Sequence, residues 1–243
     1  MPVIYPSHAS LDGYVAKTWQ TSWANARDAT SGSVSTSTTG HGFFTAAARE
    51  SARGGGTGYH VYRSFVVFDT SGITATVASA TLSIYGTSGN DGSVIAVKST
   101  AFGGDGGTAL ASGDFDAIVG WSAGSSLAGS ATVYGSQILT TSWSTSGYNN
   151  FTATSDLLTD MKNNDVVIIC FMDYTNDYLN SALTSNATLN CGAWYTDYPG
   201  TVRDPKIDYT SAGYANSVNG VAAANIAKVN GVATANISKV NGI

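Results

Sequence analysis

Charge is scarce in this chain. Asp, Glu, Lys and Arg make up 11% of its 243 residues, against roughly 25% in an ordinary soluble domain. The 11 Lys and Arg form no basic run and the net charge is −5, so the electrostatic footprint of a nucleic-acid binder is absent. Long apolar runs are missing too. The longest, residues 166–172, is about a third of the roughly 20 residues with which a helix spans a bilayer, which argues against membrane insertion. Residues 1–10 (MPVIYPSHAS) carry neither a basic n-region nor an apolar h-region and do not read as a secretory signal. Cys170 and Cys191 are the only cysteines, too few for a disulfide framework or a zinc site. They lie in two apolar segments divided by a polar loop. A bond across a hairpin and two buried thiols both fit that placement.

Catalytic signatures are lacking as well. His8, His41 and His60 are scattered, without the HExxH spacing of a metalloprotease. Residues 86–90 (GTSGN) miss the last glycine of a nucleophile elbow, and residues 54–58 (GGGTG) lead into no GK[ST]. A glycosidase needs two carboxylates flanking a sugar. Here Glu50 is the single glutamate, and Asp114 and Asp116 have no aromatic floor beside them. The expectation is a protein that is not an enzyme and carries no organic cofactor. Asp91, Asp105, Asp114 and Asp116 are the candidates for holding a structural Ca²⁺ through oxygen ligands. The alternative is that they are ordinary turn-forming aspartates.

What is present is a chain long enough to bury a core, written in short apolar runs punctuated by Gly, Ser, Asn and Asp. That is an all-β pattern. Residues 80–85 (ATLSIY) alternate, with Ala80, Leu82 and Ile84 on one face and Thr81, Ser83 and Tyr85 on the other, as in a half-buried antiparallel strand. Residues 64–68 (SFVVF) and 166–172 (VVIICFM) are apolar on both faces and read as central strands. Residues 88–92 and 103–107 are turns, and residues 31–40 read as a loop or an edge strand. One short helix is expected over residues 156–162, capped by Ser155, with Asp156 and Lys162 matching its dipole. The fold class expected is an all-β jelly-roll β-sandwich with one short helix over residues 1–210, a linker over 211–216 and a repeat extension over 217–243.

Aromatic residues are the remaining binding signal. Trp19 and Trp23 bracket a polar stretch, and Trp194, Tyr195 and Tyr198 cluster before the last strand. Such rings stack on pyranose faces while polar neighbours take the hydroxyls, and all five are candidates for carbohydrate binding. The competing reading of each is a core aromatic.

The order of motifs 12–15 (DGYV), 63–70 (RSFVVFDT), 78–86 (ASATLSIYG) and 204–209 (DPKIDY) resembles the DNRLRE-type domain. That family consists of jelly-roll sandwiches related to carbohydrate-binding modules. Segments 110–116 (LASGDFD) and 143–151 (WSTSGYNNF) are similar to a subgroup found in phage and other virion-type proteins. The resemblance spans about residues 8–210 and implies a fold more than a ligand. It puts Phe65, Val67 and Phe68 in the core, with Asp69 and Thr70 bonding backbone at the strand exit.

The chain ends differently. KVNG stands at 228–231 and again at 239–242, and Val218, Val221, Ile226, Val229, Val232, Ile237, Val240 and Ile243 recur with an eleven-residue period. Each block carries Asn-Gly, the strongest short signal for a tight turn, which would set Val229 opposite Val232. So small a hairpin is marginal alone, and two and a third repeats fall short of a solenoid. These eight residues are therefore expected to form a docking or assembly element. It would use copies of the chain around an axis, a trimer among them, or a groove on another protein. Tails of this kind resemble those of phage structural proteins.

The reading that joins these features is a phage virion structural protein, at the virion surface or outside cells. It would assemble with itself and with other virion proteins, and a cell-surface glycan would be its ligand. Release by host lysis reconciles the extracellular style of composition with the missing signal, and so does a signal that has been trimmed away. The alternative is a secreted carbohydrate-binding module of a polysaccharide-degrading system.

Overall fold

The computed structural model describes residues 1–6, 12–36, 41–51, 55–196 and 200–212, with residues 228–229 and 232–233 of the tail. In chain order the strands are β1 (Val3–Ile4), β2 (Asp12–Gln20), β3 (Ser33–Ser35), β4 (His41–Ser51), β5 (Thr57–Asp69), β6 (Val77–Asn90), β7 (Ser93–Lys98), β8 (Val133–Leu139), β9 (Tyr148–Thr152), β10 (Val166–Met172), β11 (Ala187–Trp194), β12 (Lys206–Ser211), β13 (Lys228–Val229) and β14 (Val232–Ala233). All of the strand pairings in the main body are antiparallel, in a 12-stranded sheet of order β1-β12-β6-β11-β4-β5-β10-β7-β8, with β2 joined to β5 and β3, and β9 to β6. The protein is an all-β sandwich of the jelly-roll kind.

The doubly apolar runs form the middle of the sandwich. Along β5, Val66 and Phe68 enter one apolar layer while Phe65 and Val67 enter another. β10 divides in the same way, Val167, Ile169 and Phe171 against Ile168, Cys170 and Met172. A strand alternates its side chains between faces, so both faces of these strands must be covered. The first layer is closed by Leu82 and Ile84 of β6, Phe151 of β9 and Ile207 of β12. Leu157 and Met161 of helix α2 (Ser155–Asn163) complete it. The second layer lies under the long connection between β7 and β8, through Phe102, Phe115, Ile118 and Leu127, and under Trp23 and Ala26 of α1 (Trp23–Arg27). Asp69 and Thr70 bond backbone at the strand exit: Asp69 Oδ1 accepts from the Ser71 N–H and Thr70 donates to the Asn164 carbonyl.

Several expectations are corrected in detail. Two α-helices stand among the described residues. α1 is too short to show periodicity and is capped by Ser22, whose Oγ accepts from the Asn25 N–H at 3.1 Å. The cap of α2 is Thr154, one residue before Ser155. Residues 33–35 form an edge strand, and residues 37–40 lie outside the described residues. Cys170 and Cys191 are free buried thiols on opposite apolar layers, and burial pushes the Cys191 thiol up to about 12. β12 extends to Ser211, and the Ala212 N–H bonds the Thr76 carbonyl at 2.7 Å, so ordered chain continues just past the expected end at 210.

Two further features bear on function. The sheet curls until β8, at one end of the strand order, nearly meets β9, and a single bridge joins Gly135 to Ala153. A Cβ on Gly135 would lie 2.8 Å from that of Phe151, so only glycine permits the approach. In the tail, β13 pairs with β14 and sets Val229 opposite Val232, as the Asn-Gly spacing predicts. Val218, Val221, Ile226, Ile237, Val240 and Ile243 lie outside the described residues.

Candidate functional site

β2 keeps register with β5 from Asp12 to Lys17, and then the register shifts before Gln20. A bulge re-aims a side chain, and here that side chain is Trp19. Its φ is +54° and its side chain is 57% exposed. An L-residue in this left-handed region costs roughly 1–2 kcal/mol, so strain is accepted in order to hold an indole at the surface. The ring lies over Gly58, where a Cβ would come within 2.5 Å of it. It meets the His60 ring edge-on, centroids 4.7 Å apart.

His60 is 6% exposed beneath it, and its Nε2 has no hydrogen-bond partner. Burial lowers the His60 pKa, and the Glu50 charge opposes that only in part. Opposed residues on neighbouring strands share a face. Tyr62 stands opposite Ala16 and Ala46, His60 opposite Ala48, and Gly58 opposite Glu50. The Tyr14 and Tyr62 rings are 5.5 Å apart on this face. The result is a row of rings separated by alanines, buried or half-buried except at Trp19, with a carboxylate at its margin that accepts from Thr188 Oγ1 at 3.0 Å.

The other expected sugar-binding aromatics divide. Trp23 is 8% exposed in the second layer, and its Nε1–H donates to Asn180 Oδ1 at 3.0 Å. Tyr195 is a core aromatic and not an exposed sugar-binding ring: it is 5% exposed, packs 5.4 Å from Phe44 and shares a 2.7 Å hydrogen bond with Ser64. Tyr198 lies outside the described residues. Trp194 is half-buried and belongs to a second strip, where the Arg203 guanidinium sits 4.9 Å from its ring and 5.4 Å from that of Tyr85. Tyr148 continues the strip, edge-on to Tyr85 at 5.3 Å and under Lys206 Nζ at 4.7 Å. Its hydroxyl reaches the Val202 and Asp204 carbonyls. The ring faces here are occupied by the protein's own cations, so this strip clasps the turn that leads into β12.

The four aspartates proposed for Ca²⁺ are not brought together. Among the described residues no three His, Cys, Asp or Glu side chains converge as a metal site would require. Asp105 accepts from the Gly107 N–H at 2.8 Å, Asp114 accepts from the Ala111 N–H at 2.9 Å, and Asp91 turns the chain at φ +47°. Asp116 ends a short 3₁₀ turn (Ser112–Asp116). Short polar side chains that bond their own backbone are turn formers.

Sequence reasoning missed a buried charge cluster. Arg63, on β5, makes a bidentate pair with Asp177, both bonds at 2.7 Å, and donates to the Phe115 and Arg27 carbonyls. Arg27 donates to the Asp177 and Ser125 carbonyls and pairs with Asp28. Trp121 stacks on both guanidiniums, at 4.6 and 4.2 Å. The side chains of Arg27, Arg63 and Asp177 are wholly buried. The signal was there: Arg63 directly precedes the doubly buried run at 64–68. The cluster clamps α1 and two connections onto β5.

Nearby, Asp173 accepts from the Ser93 N–H, the Ser93 hydroxyl and the Asn176 N–H. Burial outweighs these bonds and pushes its carboxyl up to about 6. The folded state then holds a proton that the unfolded state releases near pH 4, so this group's contribution falls as pH rises from about 4 to about 6. Two units correspond to up to ~3 kcal/mol. Urea midpoints across that window should fall for wild type relative to Asp173→Asn; parallel curves would show that the carboxyl titrates normally.

No protein-family model matches the chain, and no curated protein is significantly similar to it. Among the described residues no helix is long and apolar enough to cross a membrane.

Proposed function

We propose that this chain is a non-enzymatic structural subunit of a phage virion, as a capsid decoration, head fibre or tail appendage. Its jelly roll faces outward and binds a cell-surface glycan over Trp19, and its C-terminal repeat docks the subunit to copies of itself or to the particle. The observation that carries the ligand half is Trp19. Its indole is bulged out of β2, backed by Gly58 and His60, and left open to solvent. A ring fixed from behind offers an apolar face to sugar C–H groups at little further entropy cost. The low charge, the regular apolar spacing of the tail and the resemblance to DNRLRE-type domains of virion proteins support the setting.

The ligand half is tested by finding a ligand on a glycan array and titrating it calorimetrically against Trp19→Ala. The variant should bind at least about tenfold more weakly, a loss of ~1.4 kcal/mol, with a thermal midpoint close to wild type. Unchanged affinity for a proven ligand would remove the site. The secreted-module reading is separated by size: a virion component should remain multimeric at low concentration, whereas a binding module should be a monomer.

A further inference from the structure

We infer that a polar cavity at the end of β7 is a second glycan site, which takes a single sugar residue bearing hydroxyl or amino groups and no acid. The inference rests on the reading of the jelly roll as a glycan binder, and it adds a site of different chemistry. Val166 of the cavity wall stands opposite Asp69, the last residue of β5, whereas Trp19 lies over Gly58 near the first.

The cavity opens where two strands part. β7 pairs with β10 from Ile169 to Met172, and the Ser99 N–H adds a last bond to the Ile168 carbonyl at 3.0 Å. The chain then turns away in a 3₁₀ turn (Phe102–Gly104). Phe102 is fully buried at φ +56°, and its N–H donates to Asp114 at 3.3 Å. A bulky residue in this region marks a local shape that the surrounding structure enforces. The opening measures about 520 Å³, within the roughly 300–1,000 Å³ range of small-molecule sites. Its walls come from the end of β7 and the turn after it, from β8, from the C-terminal end of α2 and from the start of β10.

The back wall is pre-organised. The Gly135–Ala153 bridge brings β8 against α2, and the Thr154 N–H donates to the Tyr134 carbonyl at 3.0 Å. Asp160 of α2 then accepts from the Tyr134 hydroxyl at 2.5 Å, from Lys98 Nζ at 2.8 Å and from Asn164 Nδ2 at 3.0 Å. Burial raises the Asp160 pKa, but these bonds outweigh it and hold the carboxyl below its ordinary value. Asp160 therefore balances the Lys98 charge. An ammonium has three donors, and two of those on Lys98 have no partner among the described residues. The mouth is acidic. Asp105 Oδ1 accepts from the Gly107 N–H, while its other oxygen and both oxygens of the exposed Asp165 accept from no described residue.

The ligand class follows from this inventory. With Lys98 balanced, two carboxylates are left over, and an acidic ligand is repelled. Calcium is disfavoured as well, because an ammonium lines the cavity and no three His, Cys, Asp or Glu side chains converge among the described residues. A sugar hydroxyl can accept from Lys98 and donate to Asp105 or Asp165, and an amino group donates to the same carboxylates more strongly. Val166 and Ile168 add apolar surface for the C–H face of the ring.

Nuclear magnetic resonance titration of the full chain tests this, with the methyl glycosides of glucose, galactose, mannose and glucosamine, and that of glucuronic acid as the acidic counterpart. At least one of the first four should shift the amides of residues 98–105 and 163–166 saturably, and the glucuronide should bind at least about tenfold more weakly. Asp165→Ala removes no bond within the protein and should weaken the bound sugar at least about tenfold, as should Lys98→Met. If no sugar shifts these amides, if the glucuronide binds as well as the glucoside, or if both variants bind like wild type, the inference is overturned. Shifts confined to residues 17–20 and 58–60 would sink the cavity and leave the Trp19 reading standing. Shifts at the cavity with none near Trp19 would support the cavity and count against the Trp19 reading.

Discussion

An Asp177→Ala variant is expected to lose about 3–5 kcal/mol of stability, the range found when one partner of a buried ion pair is removed. Asp177 is the anion facing Arg63 through two 2.7 Å bonds, and its carbonyl also accepts from Arg27. Removing the carboxylate leaves the Arg63 guanidinium buried with only the Phe115 and Arg27 carbonyls as acceptors. It cannot neutralise itself, because arginine keeps its proton in proteins. The folded state must then admit water or release the connection between β7 and β8. Both responses would alter the surroundings of Trp121, which stacks on both arginines. Guanidinium unfolding followed by tryptophan fluorescence is the measurement. An Asp177→Asn variant should lose less, since an amide oxygen can still accept one of the two Arg63 bonds. A loss below about 1 kcal/mol for Asp177→Ala would place the cluster among solvated surface pairs.

The parts of the fold that were readable in the sequence are those set by local alternation. Residues 64–68 and 166–172 are apolar at every position or nearly so, and a strand can bury such a run only between two covered faces. β5 and β10 sit in that position. The Val229–Val232 pairing was readable for a similar reason: two residues of turn chemistry fix a register.

What could not be read depends on bulges and on distant partners. Nothing in the pair Trp194-Tyr195 says which ring is buried. The alternation decides it: Cys191, Ala193 and Tyr195 all enter the first layer, while Trp194 on the other face is half-buried. Trp19 is exposed by a bulge, since β2 takes three steps from Lys17 to Gln20 while β5 takes two from Val61 to Tyr59, and the sequence could not distinguish it from Trp23, four positions away. The buried pair joins residues 114 positions apart, and no local pattern in the loop around Asp177 announces its partner. The connection between β7 and β8 looked like glycine-rich punctuation. Its scattered Phe102, Phe115, Ile118 and Leu127 have no period because they descend onto the sheet one turn at a time.

Phe68→Ala should cost about 3–5 kcal/mol, as for a fully enclosed phenylalanine. The side chain is 0% exposed in the first apolar layer, on the strand that β2, β4 and β10 all pair with. Three residues earlier on the same strand, Phe65 is 1% exposed in the second layer, and Phe65→Ala should cost a similar amount. The two rings lie on opposite faces and share no apolar layer, so their losses should add to within about 0.5 kcal/mol. Together they approach or exceed the roughly 5–15 kcal/mol by which a domain of this kind is stable. Each single variant should therefore fold with a lowered urea midpoint, and the double variant should not fold at all. A well-folded double variant, judged by near-ultraviolet circular dichroism, would mean that one layer is dispensable. The covering of β5 by the connection between β7 and β8 would then be ornament on a sandwich held by its first layer alone. If both singles are costly and the double is unfolded, β5 is the common wall of two cores. Trp19 is then displayed from β2, which is laddered to a strand anchored on both faces, and that is the rigidity a surface stacking site requires.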